Sequence, residues 1–448
     1  MEVIVPVDGM ELRRSCTLAE GVYYCPSGLR ITTPGITIIG HGVTLIGATG
    51  QGIGLEITAN NITIKGLSIK GYQHGIRAIS VERLVLDHCS VHGTAEIASN
   101  TVFLDIWLPS ERAYGGGVLL VGCDDCEVVS CELQHQQTGL MAYGCRRLAV
   151  TLTNASYCSG FGFYLSATSD SRFEENIADY CCRFEPREGG LHFGHMGADA
   201  AGFVLVRGSS RNVFRRNAAR LGGDGFFLAG LDPSGKPDGC DDNLFEDNDG
   251  SLSPNIAFEA TFCRGNIFRR NYADRSNYGF WLGYSWDTML EANRMIMNRQ
   301  AGIAVENGHH FNVIDNTFQG NGHGILLWSG RVEGFARLYP ESLTSWDWQI
   351  EGNTMTRNGR GVRIANNQDH GIRSGPEATS TAPDIRPRGH LLRRNDIQDN
   401  RIGIELVGAD GTIVEGNILN RNVEANIRED DTTGTLARNN LGSRGAYL

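Results

Sequence analysis

Three copies of one six-residue motif lie at regular intervals: NVFRRN at 212–217, NLFEDN at 243–248 and NIFRRN at 266–271. Asparagine continues the pattern with gaps of 22 or 23 residues at Asn248, Asn271, Asn293 and Asn316, and again at Asn395, Asn417 and Asn439. A fixed period of this length is typical of a stacked-coil protein. Each residue therefore has a neighbour one coil above it and one coil below it.

The period is that of strands. Segments such as 225–228 (GFFL), 279–282 (GFWL) and 302–305 (GIAV) are short, apolar and bounded by Gly and Asn, and no 3.6-residue apolar stripe persists. Two or three strands fit into each period, so successive coils should form parallel ladders. Asparagines at equivalent turns can then hydrogen-bond along the stack. The sequence predicts an all-β solenoid in which the repeated asparagines are structural.

With this repeat the chain resembles the right-handed parallel β-helix superfamily over about residues 28–442. That superfamily includes pectate lyases, polygalacturonases, alginate epimerases and NosD-type proteins. The resemblance implies a right-handed parallel β-helix with loop insertions. Known members mostly act on or bind polysaccharides, so it also implies a carbohydrate ligand by analogy. It implies no catalytic residues, because the repeat is a property of the scaffold.

Composition limits the partners. The net charge of −11 argues against a surface for nucleic acid or anionic membrane. No apolar run reaches the length of a membrane span, and the N-terminal stretch MEVIVPVDGMELRR has no secretory-signal pattern. We expect a cytoplasmic protein or an exported one whose signal has been removed, and the sequence leaves both open. The expected partner is an oligosaccharide or polysaccharide, and the oligomeric state stays open.

The twelve cysteines are best interpreted as packed free thiols, with Cys123 and Cys145 at equivalent points of successive coils. A disulfide between Cys16 and Cys25 is the alternative. No metal and no other cofactor is predicted. His192 and His195 form an HxxH in an irregular loop, which is a poor zinc motif.

The sequence predicts an N-terminal cap at 1–27 and a single β-helix domain at 28–448, because an open solenoid end must be covered. Stretches rich in Gly, Pro and charge are predicted as loops at 94–115, 184–201, 231–239, 330–347 and 370–389. The last three follow the same strand and should leave from one edge. Loops 231–239 and 330–347 flank coils without an insertion there, which predicts a cleft between two walls.

Side chains alternate along a strand, so the floor of this cleft can be assigned residue by residue. The inward positions are Phe226, Phe258, Phe280, Ile303 and Ile325. One outward column is predicted as Phe227, Ala257, Trp281, Ala304 and Leu326. The next outward column is predicted as Ala229, Glu259, Gly283, Glu306 and Trp328.

The second outward column puts Glu259 and Glu306 two coils apart with Gly283 between them. At about 4.8 Å per coil their Cβ atoms should lie about 9.6 Å apart, and inverting glycosidases hold their carboxyl groups roughly 6.5–9.5 Å apart. We therefore predict a glycoside hydrolase with these two residues as general acid and base. Aromatic and polar side chains around them are predicted to bind the sugar: Trp281, Trp328, Tyr284, Asp287, Asn307, His309, His310 and, at the far end, Asp224.

Two other functions stay open. A polysaccharide lyase or uronate C5-epimerase needs a base and a group that neutralises the uronate charge. The predicted floor offers few cations, of which Arg264 and Arg363 are the nearest. A non-catalytic binding or assembly protein of the NosD kind would instead present a flat face without paired acids inside a cleft.

Overall fold

The computed structural model describes residues 1–98, 103–186, 193–195, 200–366 and 385–442, with the backbone alone at 184–186 and 193–195. The predicted fold class is confirmed: the chain is an all-β, right-handed parallel β-helix with long parallel ladders. The chain divides into two compact units, 1–227 and 228–448. The insertions predicted at 184–201 and 370–389 lie largely outside the described residues, as does His192.

In the first unit the strands form three parallel ladders, which we call sheets 1, 2 and 3. Sheet 1 contains Leu29–Ile31, Ile53–Ile57, His74–Ile79, Gly116–Val121, Thr138–Tyr143, Phe161–Ser166 and Ala201–Val206, and the strand Asp224–Ala229 contains the division point. Sheet 2 contains Glu2–Ile4, Cys16–Leu18, Thr37–Ile39, Ile62–Lys65, Leu84–Asp87, Glu127–Val129, Ala149–Thr151, Arg172–Glu174 and Val213–Arg215. Sheet 3 contains Gly21–Tyr24, Val43–Ile46, Ser68–Lys70 and Ser90–His92. A 3-10 turn at Ser110–Arg112 and an antiparallel pair, Phe184–Pro186 with Phe193–His195, lie outside the ladders.

The second unit repeats the three ladders. Its sheet 1 contains Ile256–Thr261, Tyr278–Trp281, Ala301–Glu306, His323–Trp328, Arg360–Ala365, Ile402–Val407 and Ala425–Asp430. Its sheet 2 contains Leu244–Glu246, Ile267–Arg269, Met289–Glu291, Asn312–Ile314, Gln349–Glu351, Leu391–Arg393, Ile413–Glu415 and Leu436–Arg438. Its sheet 3 contains Arg294–Ile296, Thr317–Gln319, Thr354–Thr356, Asp396–Gln398 and Ile418–Asn420. One short helix, Glu333–Leu338, lies in the loop 330–347.

The repeated asparagines are buried and form the predicted ladder. Asn293 Oδ1 accepts from both the backbone N–H and the side chain of Asn271, at 2.9 and 3.0 Å, and Asn293 Nδ2 donates to Asn316 at 3.0 Å. The last step differs from the prediction, because Asn417 bonds to Asn440 and not to Asn439. Asn439 has a positive φ of 55° and forms the turn before it.

The predicted inward residues Phe226, Phe258, Phe280, Ile303 and Ile325 are fully buried, which confirms the inward register. In the second unit Phe258 stacks on Phe280 at 4.9 Å between ring centroids, so equivalent side chains of adjacent coils pack face to face. Each of the twelve cysteines is a free thiol, and all except the half-buried Cys182 are buried. Cys16 and Cys25 form no disulfide. No helix in the described ranges is long and apolar enough to cross a membrane.

Candidate functional site on the second unit

The outer face of sheet 1 in the second unit carries the predicted site, but one strand is shifted. Glu259 pairs with Trp281, and Trp281 pairs with Ala304. Glu306 pairs with Trp328 in a neighbouring column. The prediction that Glu259 shares a column with Gly283 and Glu306 was therefore wrong by two residues. Thr261 holds that place, since Phe262 N–H donates to the Gly283 carbonyl.

The shift has a simple cause. The register pairs Ile256 with Tyr278 and Phe258 with Phe280, so Ala257 occupies the position that Gly279 holds in the next coil. In this coil the strand lacks the glycine that marks the corner elsewhere. Two coils and two residues now separate the glutamates, which puts their Cβ atoms about 12 Å apart instead of about 9.6 Å. At this distance both carboxylates could contact one substrate only if the two side chains extend towards each other.

Glu306 is buried at 4% exposure in largely aromatic surroundings. The Tyr284 hydroxyl donates to Glu306 Oε1 at 3.2 Å. Gly330 lies against the same oxygen, and a Cβ there would come within 2.5 Å of it, so a larger residue would displace the Glu306 carboxyl group. Asn307 is buried as well and holds Gly330 through two hydrogen bonds, of which the one from Gly330 N–H to Asn307 Oδ1 is 3.0 Å long. The start of loop 330–347 is thus fixed against the carboxylate.

The two predicted tryptophans lie on the outer face, but they differ in exposure. Trp281 is half-buried, whereas Trp328 is 1% exposed, packed with Ala304 and Leu326. Their ring centroids are 5.4 Å apart and the rings meet edge to face. Trp281 therefore remains available at the surface, whereas Trp328 is covered.

Loops 231–239 and 330–347 do not stand as two separate walls. Leu231 from the first and Phe335 from the second pack against one cluster formed by Phe262, Tyr284 and Tyr339, which we call the aromatic cluster. Its rings lie about as close as stacked aromatic pairs do, with 4.8 Å between the centroids of Phe262 and Tyr284. The two loops therefore meet at this cluster, past the ends of the sheet 1 strands.

The histidines lie past the end of the strand, next to the aromatic cluster. His309 is buried between Trp286 and Trp346, with centroids at 6.0 and 4.8 Å. Burial, with a smaller contribution from His310, lowers the pKa of His309 to about 4. The imidazole is therefore neutral at physiological pH.

His310 is more exposed than His309 and lies between two acids. Its ring nitrogens are 3.4 Å from Asp287 and 3.5 Å from Asp347, both of which are exposed. The structure thus groups the predicted residues Asp287, His309 and His310 with one another, away from the outer strand columns. Asp224 is fully buried in the first unit.

Sequence reasoning missed a charged group on the same outer face. Glu405 is buried and forms ion pairs with Arg360 and Arg363, and His323 approaches Arg360 at 3.5 Å. Burial raises the pKa of Glu405, but Arg363 and Arg360 together hold it below its usual value. The long insertion between Ala365 and the next coil hid this alignment in the sequence. In the described ranges no group of three or more His, Cys, Asp and Glu could hold a metal ion.

A family model described as "Right handed beta helix region" matches residues 27–248 and 204–333. No curated protein matches the sequence of this chain. Among solved structures, the mannuronan C-5 epimerase AlgE6 A-module of Azotobacter vinelandii is 12% identical, with 97% of this chain and 92% of that chain covered at a TM-score of 0.44. The adhesin PfbA of Streptococcus pneumoniae is 12% identical, with 71% of this chain and 88% of that chain covered at a TM-score of 0.44. DFA-IIIase of Arthrobacter chlorophenolicus A6 is 10% identical, with 63% of this chain and 70% of that chain covered at a TM-score of 0.40. Likeness at this level carries no argument about activity.

Proposed function

We propose that this chain, which belongs to the right-handed β-helix family, is a carbohydrate-active enzyme and specifically a glycoside hydrolase. The observation that carries the proposal is the Glu306 carboxyl group, buried in aromatic surroundings and hydrogen-bonded by Tyr284. It lies on the same outer face as the half-buried Trp281 and the half-buried Glu259. Two carboxyl groups in unlike environments are what acid–base hydrolysis of a glycoside needs.

The two environments assign the roles. We assign Glu306, which is buried and hydrogen-bonded by Tyr284, as the general acid that protonates the leaving oxygen. Glu259 is wetter and serves as the general base that activates water. The separation of about 12 Å between their Cβ atoms is too wide for direct attack by a carboxylate, and it points to inversion at the anomeric carbon.

Trp281 supplies the sugar platform. In the strand register Trp281 is the partner of Glu259 in one neighbouring coil and of Ala304 in the other. Apolar C–H faces of sugars pack well on an indole. Because Gly330 contacts Glu306, the start of loop 330–347 must shift when a substrate reaches the acid.

The test is a screen of the purified chain against aryl glycosides and oligosaccharides, followed by variants. Glu306→Gln and Glu259→Gln should each fold normally and lose turnover by about 10²–10⁴. Glu333→Gln, at an exposed glutamate of the same loop, is the matched control and should keep full activity. Full turnover in both site variants would refute the assignment. An NMR time course of the anomeric signals should show inversion.

A second candidate is a polysaccharide lyase or uronate C5-epimerase. It is favoured by the position of Arg360 and Arg363, which pair with His323 and Leu326 on the same outer face. Guanidinium groups can neutralise a uronate carboxylate. This candidate predicts a product with a 4,5-double bond, or a C5-inverted uronate, and a strong loss of activity in Arg363→Gln. A hydrolysed glycoside without either signature would exclude it.

A further inference from the structure

A cavity of about 260 Å³ opens beside the turn that follows sheet 1 in the second unit. It is lined by Trp286, His309, Leu338, Tyr339, Pro340, Glu341 and Ser342. The aromatic cluster connects it to the proposed catalytic face, since Tyr284 contacts Glu306 and Tyr339 lines the cavity. Neither Glu259, Glu306 nor Trp281 lines it. The cavity is therefore a place distinct from the proposed catalytic carboxylates.

The walls of the cavity are held in place by the scaffold. The Tyr339 ring lies 5.2 Å from Phe262 and 5.9 Å from Trp286, measured between centroids. Trp346 stacks on His309 at 4.8 Å, and its indole N–H donates to the Glu341 carbonyl at 2.9 Å. Segment 338–342 is thus tied to the three coils that contain Phe262, Trp286 and Trp346. A site whose walls are fixed before binding loses less free energy on ordering when a ligand enters.

The size and lining define the ligand. The volume suits one six-membered ring and is below the usual range of pockets for drug-sized molecules, roughly 300–1,000 Å³. Trp286, Leu338 and Pro340 give an apolar wall. Ser342 Oγ lies 3.2 Å from His309 Nε2, and Glu341 is exposed at the rim, so hydroxyl groups of a ligand would meet an alcohol and a carboxylate. A ring with apolar C–H faces and peripheral hydroxyl groups matches this combination.

The charge of the cavity separates neutral from acidic sugars. Among the described residues that line the cavity, Glu341 is the one charged side chain, and none is Lys or Arg. His309 is neutral because burial lowers its pKa to about 4. A uronate carboxylate would therefore meet the like charge of Glu341.

We propose that this cavity is a second binding site for a single neutral sugar ring, either a free monosaccharide or the end of a chain. The site is independent of the proposed hydrolytic chemistry. The cavity would bind a saccharide beside the aromatic cluster. The outer face of sheet 1 would hydrolyse another part of the same saccharide or a different molecule.

The experiment measures binding of methyl glycosides of glucose, galactose and mannose, and of methyl glucuronide, to the full chain by saturation-transfer NMR and titration. We expect at least one neutral glycoside to bind and the glucuronide to bind more weakly. Trp286→Ala should weaken binding about tenfold or more, and Ser342→Ala about fivefold. Tyr272→Ala, at an exposed tyrosine that lines neither the cavity nor the outer face of sheet 1, is the aromatic control and should leave binding unchanged. Melting curves check that each variant is folded.

Several results would overturn the proposal. Absence of binding by every neutral glycoside is one, and tighter binding of the glucuronide is another. Unchanged binding in both Trp286→Ala and Ser342→Ala, with loss in Trp281→Ala, would place the ligand on the outer face of sheet 1. Glu306→Gln separates the two proposals, since it should abolish turnover and keep this binding, and failure of the hydrolase proposal leaves the binding result intact.

Discussion

Asn293→Ala removes one step from the asparagine ladder of the second unit. Asn293 Oδ1 accepts from the backbone N–H of Asn271 at 2.9 Å and from its Nδ2 at 3.0 Å. Asn293 Nδ2 donates to the Phe268 carbonyl at 2.9 Å and to Asn316 Oδ1 at 3.0 Å. Alanine abolishes all four hydrogen bonds within a stack that excludes water.

The size of the effect follows from what each partner retains. Asn271 Nδ2 keeps the Phe245 carbonyl, and Asn316 Oδ1 keeps the backbone N–H of residue 293. The backbone N–H of Asn271 loses the acceptor that the Asn293 side chain provides. A buried donor left without an acceptor lowers the free energy of unfolding by roughly 1–3 kcal/mol. Each of the other lost hydrogen bonds lowers it by roughly 0.5–1.5 kcal/mol before the partners relax. We expect Asn293→Ala to lower the free energy of unfolding by about 3 kcal/mol.

Urea unfolding followed by circular dichroism measures this change in the free energy of unfolding, with Arg270→Ala as the control. Arg270 lies one residue before Asn271 and forms ion pairs with Glu246 and Asp247 at the surface, where its side chain is 48% exposed. Such pairs contribute about 0–1 kcal/mol. If the midpoint shift of Asn293→Ala at constant m-value is no larger than that of Arg270→Ala, the ladder does not stabilise the coil as argued.

Three further outcomes are expected. Burial lowers the pKa of His390 to about 3, so between about pH 6.5 and 3 the unfolded chain binds a proton that the folded chain does not. His390 by itself should make stability fall with decreasing pH by up to about 1.4 kcal/mol per pH unit in that window, and His390→Gln should make the fall in thermal melts less steep. Burial raises the pKa of Glu405, but Arg363 and Arg360 hold it below its usual value. The ionised Glu405 therefore stabilises the folded chain above the unfolded pKa of about 4.3, and this stabilisation is lost as the pH falls through the folded pKa. Glu405→Gln should destabilise the chain by about 3 kcal/mol, seen as a lower urea midpoint at pH 7 that converges with wild type in acid. Trp281→Ala should weaken binding of the hydrolase substrate about tenfold or more while changing the melting temperature little, and an unchanged Kd would remove the indole from the site.

The sequence by itself was enough for the fold. A 22- or 23-residue repeat leaves few ways to bury its apolar positions, and the inward residues Phe258, Phe280 and Ile303 occupy the core as predicted. The repeated asparagines form the ladder for the same reason, because a buried amide at a fixed point in each coil can be satisfied by the copies above and below it. Periodicity is a local property, so it can be read without knowledge of the packing.

The candidate site depended on features that periodicity does not carry. The register of Glu259 depends on which residue takes the corner position of its coil, and the structure places Ala257 there and not Asn255. Arg363 and Glu405 come together across an insertion that breaks the period.

Loop packing is the other part that the sequence left open. Insertions at 231–239 and 330–347 were evident, and so was their common edge. Whether they stand apart or meet depends on which apolar side chains they bring to the same place, and Leu231 and Phe335 meet on the aromatic cluster. The repeat therefore determined the scaffold, whereas the contacts of irregular segments decided which residues face a ligand, because those contacts arise only when distant parts of the chain pack together.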